Sequence, residues 1–373
     1  MSDVRFGIVG LGVMGRGHAS YLTNGTIKGA VLAAVSDTSP QSLEWAKNEL
    51  PAAVRCFDSY SAMLQSGAID AVIVATPHYY HPDLAVQALH HQLHVLVEKP
   101  AGVYTQQVRQ MNDVAAASGK VFGMMFNQRT NPVFQKVRDL VATGELGVIK
   151  RFNWIVTDWY RSQAYYNSGS WRATWALEGG GILMNQAPHN VDLLTWTLGM
   201  MPTRIRAFCH FGKHHQIEVE DDVTAYMEYP NGATGVFITT TGDAPGTNRY
   251  EITGDRGKLV IENNQITFWR LRRPEPEFNA SNTQPFGAPE VWKCEVPVSG
   301  GAGLQHPGIT QNFTDAIRYG TPLLAPGADG LNGVTLVNAM YLSTWTDGWV
   351  DLPFDENLFL AQLNQRRAAS ERK

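Results

Sequence analysis

The sequence predicts an α/β domain, doubly wound, followed by an α+β domain with a large, mostly antiparallel open sheet. Three observations predict it. Short β-branched runs alternate with amphipathic helical runs through the first third. A glycine-rich turn, Gly10-Leu11-Gly12-Val13-Met14-Gly15, joins the first strand to the first helix. Hairpin-like runs with turn signals fill much of the remainder. A chain of 373 residues suits two domains, on a prior of about 150 residues each. The change of texture near Asn127 puts the boundary between residues 1–126 and 127–373.

Strands are expected at Val4–Val9, Val31–Val35, Val54–Phe57, Ala71–Ala75, Val95–Glu98 and Val121–Phe126. Helices are expected at Val13–Leu22, Pro40–Leu50, Pro82–His91 and Gln106–Ser118. Pro40 and Pro82 suit a first helical turn, where the missing amide is not needed. Buried, branched strands interleaved with helices indicate a parallel sheet covered on both faces. Beyond Asn127, a helix at Pro132–Thr143 leads into a strand at Val148–Thr157. The triple glycine Gly179-Gly180-Gly181 then precedes an apolar helix reaching Leu198. Further strands are expected at Arg204–His210, Thr224–Tyr229, Gly235–Thr241, Tyr250–Thr253 and Lys258–Glu262, punctuated by Pro230-Asn231-Gly232 and Gly254-Asp255-Arg256-Gly257. The proline-bearing stretch 272–290 reads as an excursion loop, and Asn364–Lys373 as a helix end with a solvated tail.

Composition limits the function. Hydrophobic residues at 44% and charged residues at 17% supply buried cores, and a net charge of −4 gives no broad attraction to nucleic acid or anionic membrane. Neither is expected as a partner. Three cysteines without a CxxC pair exclude a disulfide framework and a cysteine-rich zinc site. No signal-peptide pattern and no long apolar run occurs, so a cytoplasmic location is expected. Cys209, His210, His214 and His215 lie near Glu218, Glu220, Asp221 and Asp222, but their spacing matches no structural zinc pattern, and no metal is expected.

The segment Gly10–Gly15 matches the GxGxxG pattern at a strand–helix junction, where glycines admit a pyrophosphate to the amides of the helix N-terminus. Gly10, Gly12, Val13, Met14 and Gly15 are therefore the candidate phosphate contacts. Asp37, with Thr38 beside it, closes the second strand 22 residues beyond Gly15. An acidic side chain there accepts hydrogen bonds from a ribose diol and repels a 2′-phosphate, which favours NAD over NADP. Read alone, Asp37 is equally a turn or cap residue. Thr76, Pro77 and His81 follow the fourth main strand at the ligand-binding edge, and His81 either faces the nicotinamide half or caps the next helix.

Glu98-Lys99-Pro100 closes the next strand at that edge. A lysine there can hold a substrate hydroxyl and stabilise the developing alkoxide. In Gly179–Asp192, Asn185 and His189 share a face if the segment is one helix. Pro188 opens the alternative that it stands in the first turn and leaves Asn185 outside. His189 is a general base suited to alcohol oxidation near neutral pH, or else a core histidine bonded to Asp192. Trp154, Trp159, Tyr160, Tyr165, Tyr166, Trp171 and Trp175, with Arg161 and Arg172, crowd the approach to the triple glycine. Flat rings cover the apolar faces of a pyranose, and Trp171-Arg172 is the preferred contact.

On Gly10–Gly15, Thr76–His81, Glu98-Lys99-Pro100, Phe126-Asn127-Gln128-Arg129 and Gly179–Asp192, the chain resembles the glucose–fructose oxidoreductase/inositol dehydrogenase (Gfo/Idh/MocA) family along both domains. The resemblance implies a Rossmann domain and hydride transfer between NAD and a secondary alcohol of a sugar, glycoside or cyclitol. It implies Lys99 and His189 as the catalytic pair, joined by Asn185. It places Glu98, Lys99 and Asn127 with the cofactor, and Lys99, Arg129, Trp171, Arg172, Asn185 and His189 with the substrate. It also implies a homodimer or homotetramer packed through the second domain's sheet. One departure stands out. Many members carry Asp where this chain has Asn185, and an amide cannot take a proton, so proton removal falls to His189. The change resembles the branch acting on sugars and glycosides, including oxidation at C3 of a glucosyl unit. Two other readings use the same residues: an NAD-dependent glycoside hydrolase or lyase working by transient oxidation, and a non-catalytic NAD and sugar sensor resembling the repressor of yeast galactose genes.

Overall fold

The structure, a computed structural model, describes residues 2–370. Contacts divide it into two units, Met1–Thr130 with Ala302–Thr335, and Asn131–Gly301 with Leu336–Lys373. The single boundary expected after residue 126 therefore needs amending, because residues 302–335 return to the first unit.

The first unit is built on strands β1 (Val4–Val9), β2 (Ala30–Ser36), β3 (Arg55–Phe57), β4 (Ala71–Val74), β5 (His94–Val97) and β6 (Phe122–Met124), in the order β3-β2-β1-β4-β5-β6. All five pairings are parallel. All four β4 residues are fully buried, as helices on both faces require. The strand order reverses between β1 and β4, so the loops after these strands flank the crevice where open α/β sheets bind ligands. Helices Val13–Thr23, Pro40–Glu49, His81–His90 and Thr105–Ser118 match expectation to within a residue or so. Pro40 occupies the first turn, and the Ser42 amide donates to Ser39 Oγ at 3.3 Å to cap it. Helix Tyr60–Gln65 was not expected; six residues are too few to show a helical period.

Helix Gln305–Tyr319 supplies the returning segment. Its Phe313 packs on Phe6 with ring centroids 6.2 Å apart, and beyond it the Ala325 carbonyl accepts from the Met124 amide at 3.0 Å. No local pattern tells which sheet an amphipathic helix will cover, which is why this return is hidden in the sequence.

The second unit carries β7 (Ile149–Val156), β8 (Arg204–Phe211), β9 (Glu220–Glu228), β10 (Thr234–Thr240), β11 (Asn248–Gly254), β12 (Gly257–Glu262), β13 (Gln265–Leu271), β14 (Val291–Val296) and β15 (Val350–Asp351). Their order is β14-β13-β12-β11-β7-β10-β9-β8-β15. Strands β7 and β10 pair in parallel, and the other pairings described are antiparallel. Trp154, fully buried on β7, stacks on Tyr250 of β11 at 4.3 Å and anchors the covered face. Strands β13 and β14 were not expected, and a helix, Glu275–Ser281, forms within the stretch read as a loop. The last helix, Glu356–Ala369, absorbs most of the predicted helix end; residues 371–373 of the predicted tail lie outside the described residues. No helix among the described residues is long and apolar enough to cross a membrane.

Candidate active site

In the first unit, the turn after β1 separates two kinds of glycine. A Cβ on Gly15 would lie 1.9 Å from the Gly10 carbonyl oxygen, so the fold itself demands glycine there. A Cβ on Gly12 would meet nothing within 4 Å, so the protein's own packing gives no reason for it. Gly12 also precedes helix Val13–Thr23, whose N-terminus has no side-chain cap and no acidic residue in its first turn. Val13 is 84% exposed there. Open space over uncapped amides fits a diphosphate. Asp37 Oδ2 accepts from the Leu11 amide at 2.6 Å and Oδ1 from the Ser39 amide at 2.8 Å. The carboxylate thus braces the glycine turn, and its remaining lone pairs suit a ribose diol. Thr38 is exposed beside it. Across the switch point, Thr76 Oγ1 is buried without a protein partner, as is Asn127 Oδ1 after β6. Buried polar atoms of this kind want a partner from outside the chain.

Two expected contacts are corrected. His81 is 1% exposed, with Nδ1 2.8 Å from the Pro100 carbonyl and Nε2 2.6 Å from the Thr76 carbonyl. Burial lowers its pKa, against the pull of those two carbonyls. Both ring nitrogens face backbone, so His81 ties the loops after β4 and β5 together rather than facing the nicotinamide. Arg129 is 2% exposed; its Nη1 donates to Asp329 Oδ2 at 2.7 Å and to the Leu324 carbonyl at 3.1 Å. This guanidinium fastens the returning segment to the first unit and is not presented to a substrate. Asn127 Nδ2 meets Gln305 Oε1 at 2.7 Å, joining the same two segments.

Lys99 is half-buried at the end of β5. Its amide donates to Glu98 Oε2 at 3.1 Å, while Glu98 Oε1 accepts from His18 Nε2 at 2.7 Å. His18 lies on the helix that starts at the glycine turn, and the His306 ring stands edge-on to it at 5.8 Å. Burial pushes the Glu98 carboxyl up, but the hydrogen bond and charge of His18, with His306 and Lys99, bring it down to about 2. The main chain of Lys99 is therefore held by a buried anion.

In the second unit, Pro188 stands in the first turn of helix Pro188–Leu198. That decides the geometry left open by the sequence: His189 is on the first turn, and Asn185 is outside the helix. Asn185 and His189 are both half-buried. The loop before them is set by Glu220 of β9, fully buried, whose Oε1 accepts from the Leu183 amide at 2.9 Å and the Tyr341 hydroxyl at 2.7 Å. Its Oε2 accepts from the Gly181 amide at 3.0 Å. A Cβ on Gly181 would sit 2.0 Å from the Glu220 carbonyl oxygen, so loop and strand approach too closely for any other residue. Burial pushes the Glu220 carboxyl up to about 7 against the pull of Tyr341 and those amides.

The aromatic cluster divides. Trp154, Tyr166 and Trp175 are core residues, while Trp159, Tyr160, Tyr165 and Trp171 keep exposed surface. Arg172 lies over Tyr165 at 4.4 Å and over Trp171 at 4.7 Å, and Arg161 over Tyr165 at 5.1 Å. Asp221, from the acidic run, accepts the amides of Lys213, His214 and His215 at 2.8–2.9 Å, and so shapes a turn. The sequence reading missed His18, His306, Glu178 and Tyr341, and named Glu220 only within a cluster set aside as a metal site. Glu178, immediately before the triple glycine, lay where a signal existed.

Comparison with known proteins identifies the family of both parts of the chain. Residues 4–126 match the model of an oxidoreductase family with an NAD-binding Rossmann fold, and residues 134–260 match the GFO/IDH/MocA C-terminal domain. Levoglucosan dehydrogenase of Pseudarthrobacter phenanthrenivorans is 24% identical over 95% of this chain and 99% of its own length. The scyllo-inositol 2-dehydrogenase (NAD(+)) of Bacillus subtilis is 26% identical over 69% of this chain and 74% of its own. The WlbA dehydrogenase of Bordetella pertussis, solved with NADH and UDP-GlcNAcA, is 27% identical with a TM-score of 0.79, covering 95% of this chain and all of that one.

Proposed function

Since the chain belongs to the Gfo/Idh/MocA family of NAD-binding oxidoreductases, we propose that it oxidises a secondary alcohol of a sugar, glycoside or cyclitol, possessing in Lys99 and His189 the two groups that act on the reacting hydroxyl. Bound NAD supplies the hydride acceptor. Gly10, Gly12, Val13, Met14 and Gly15 hold its diphosphate, Asp37 and Thr38 its ribose, and Thr76, Pro77, Glu98, Lys99 and Asn127 line the remainder. The Lys99 ammonium donates to the alcohol oxygen and stabilises negative charge as the proton leaves. His189 takes that proton at a ring nitrogen. Asn185 orients the sugar, and Trp171 with Arg172 covers its ring.

The observation that carries the reading is Gly12. Packing gives no reason for a glycine there, and it stands over an uncapped helix in the unit where a buried anion holds Lys99. The relatives act on, or were solved with, carbohydrates and cyclitols, which supports the substrate class. The outward side of the nine-stranded sheet supports a homodimer or homotetramer, since Ile155 of β7 and Phe208 of β8, in one row across the intervening β10 and β9, are 36% and 49% exposed.

The test is a panel of free sugars, glycosides, inositols and nucleotide-linked sugars with NAD and NADP, read at the nicotinamide absorbance. Reduction of NAD by at least one member is expected, with K99A and H189A each losing roughly 10²-fold or more in turnover while NADH affinity is kept. Silence across the panel, or full activity in either variant, refutes the reading.

A further inference from the structure

We propose that β14, a free edge of the nine-stranded sheet, pairs antiparallel with β14 of a second copy of this chain, about a two-fold axis at Cys294. The contact is made by the edge of the sheet rather than its outward face, and it does not rest on the catalytic reading.

β14 stands at one end of the strand order and pairs with β13 alone. The Glu290 carbonyl accepts from the Arg272 amide at 2.9 Å. Along an antiparallel ladder alternate residues point the same way, so Trp292, Cys294 and Val296 also direct their main-chain groups to β13. Val291, Lys293 and Glu295 direct theirs outward, and those groups have no partner among the described residues. The side chains alternate as well. Cys294 and Val296 stand opposite Phe268 and Ile266, both buried, and share the covered face with Trp292. Val291, Lys293 and Glu295 take the other face, where Lys293 Nζ lies 5.6 Å from the Trp269 ring. Val291 and Trp292 are 48% and 47% exposed. A bare edge with apolar side chains is a template for another strand.

The sequence of β14 is complementary to itself. A second strand adds only where outward-directed residues meet outward-directed residues. With the axis at Cys294, Lys293 faces Glu295 of the second copy and Glu295 faces its Lys293, so both hydrogen-bonded pairs join opposite charges on one face. On the covered face Trp292 meets Val296. Cys294 meets its own copy in a non-hydrogen-bonded pair, where Cα atoms lie about 4.5 Å apart. The ladder stops where Val291 meets Pro297, which has no amide hydrogen. The neighbouring registers lack this match. An axis at Lys293 or at Glu295 sets like charges opposite each other, and an axis at Trp292 faces Lys293 with Val291 and Glu295 with Pro289. Hydrogen-bond direction, face and charge agree in the register centred on Cys294.

Sedimentation of the full chain tests this by exchanging charges. E295K sets lysine against lysine at both facing pairs, and K293E sets glutamate against glutamate. Each should self-associate roughly tenfold or more weakly than wild type. Each should therefore sediment at half the wild-type mass, whether or not the outward face of the sheet also joins chains. Mixed together, the two variants face lysine with glutamate and should regain the wild-type mass, as should the double variant K293E/E295K alone. Dibromobimane, which bridges thiols only a few ångströms apart, should join two wild-type chains and none of C294S. If one single variant does not fold, the other against the double gives the same comparison. Equal masses for wild type and the single variants, singles that stay apart on mixing, a double that stays at half mass, or bridging that is absent in wild type or persists in C294S overturns the proposal.

Discussion

Replacing His18 with alanine tests how the nucleotide helix and Lys99 are connected. The His18 and Glu98 side chains are 0% and 5% exposed and meet at 2.7 Å. Removing one partner of a buried pair strands the other charge, typically at about 3–5 kcal/mol. The lowering of Glu98 from 4.5 to about 2 corresponds to a similar amount, about 3 kcal/mol at 1.36 per unit. A carboxyl whose folded pKa is depressed contributes stability above its unfolded pKa and loses it as pH falls through the folded value. In H18A the burial penalty persists and Glu98 moves up. The gap between wild type and variant should then be about 3 kcal/mol at pH 7–8 and close as pH falls through the variant's raised Glu98 pKa and on toward 2. Urea midpoints across that range measure it, and pairing H18A with E98Q should cost less than the two changes summed, because no stranded charge remains. A loss below about 1 kcal/mol, or one that does not vary with pH, would refute the argument that His18 neutralises this carboxylate.

The two glycine types should separate cleanly: G12A is expected to melt within about 1 °C of wild type yet weaken NADH binding, measured by nicotinamide fluorescence, whereas G15A should fold poorly because its methyl meets the Gly10 carbonyl. Glu220, pushed up to about 7, holds its proton more tightly folded than unfolded, so stability should fall as pH rises from 4.5 through 7, by about 3 kcal/mol in all. Urea midpoints should show this slope in wild type and not in E220Q; equal slopes would mean that Glu220 does not titrate there.

The first unit was largely legible because its signals are local. A strand's run of branched residues, a proline in a first turn and the spacing of Gly10, Gly12 and Gly15 each concern neighbours in sequence. Lys99 and His189 stood out for the same reason. What escaped the sequence depends on distant pairs. His18 and Glu98 are 80 residues apart, and Glu220 and Tyr341 are 121 apart. Arg129 failed as a substrate contact because its partner, Asp329, arrives 200 residues later. The role of Pro188 could be stated only as two alternatives, since a proline is compatible with a kink or a helix start until the preceding backbone is known. Strands β13 and β14 lacked signal for another reason: β14 is exposed along much of its length, so its sequence never had to alternate strongly.

The returning segment Ala302–Thr335 bears on how the molecule is made. During translation, the sheet that receives the nucleotide is spelled out by Met124, yet Phe313 and Asp329 have not then left the ribosome. The early domain must wait, with Phe6 lacking one neighbour and Arg129 its counter-charge, until residues 302–335 have been synthesised. For the same reason, no single cut in the gene releases it whole.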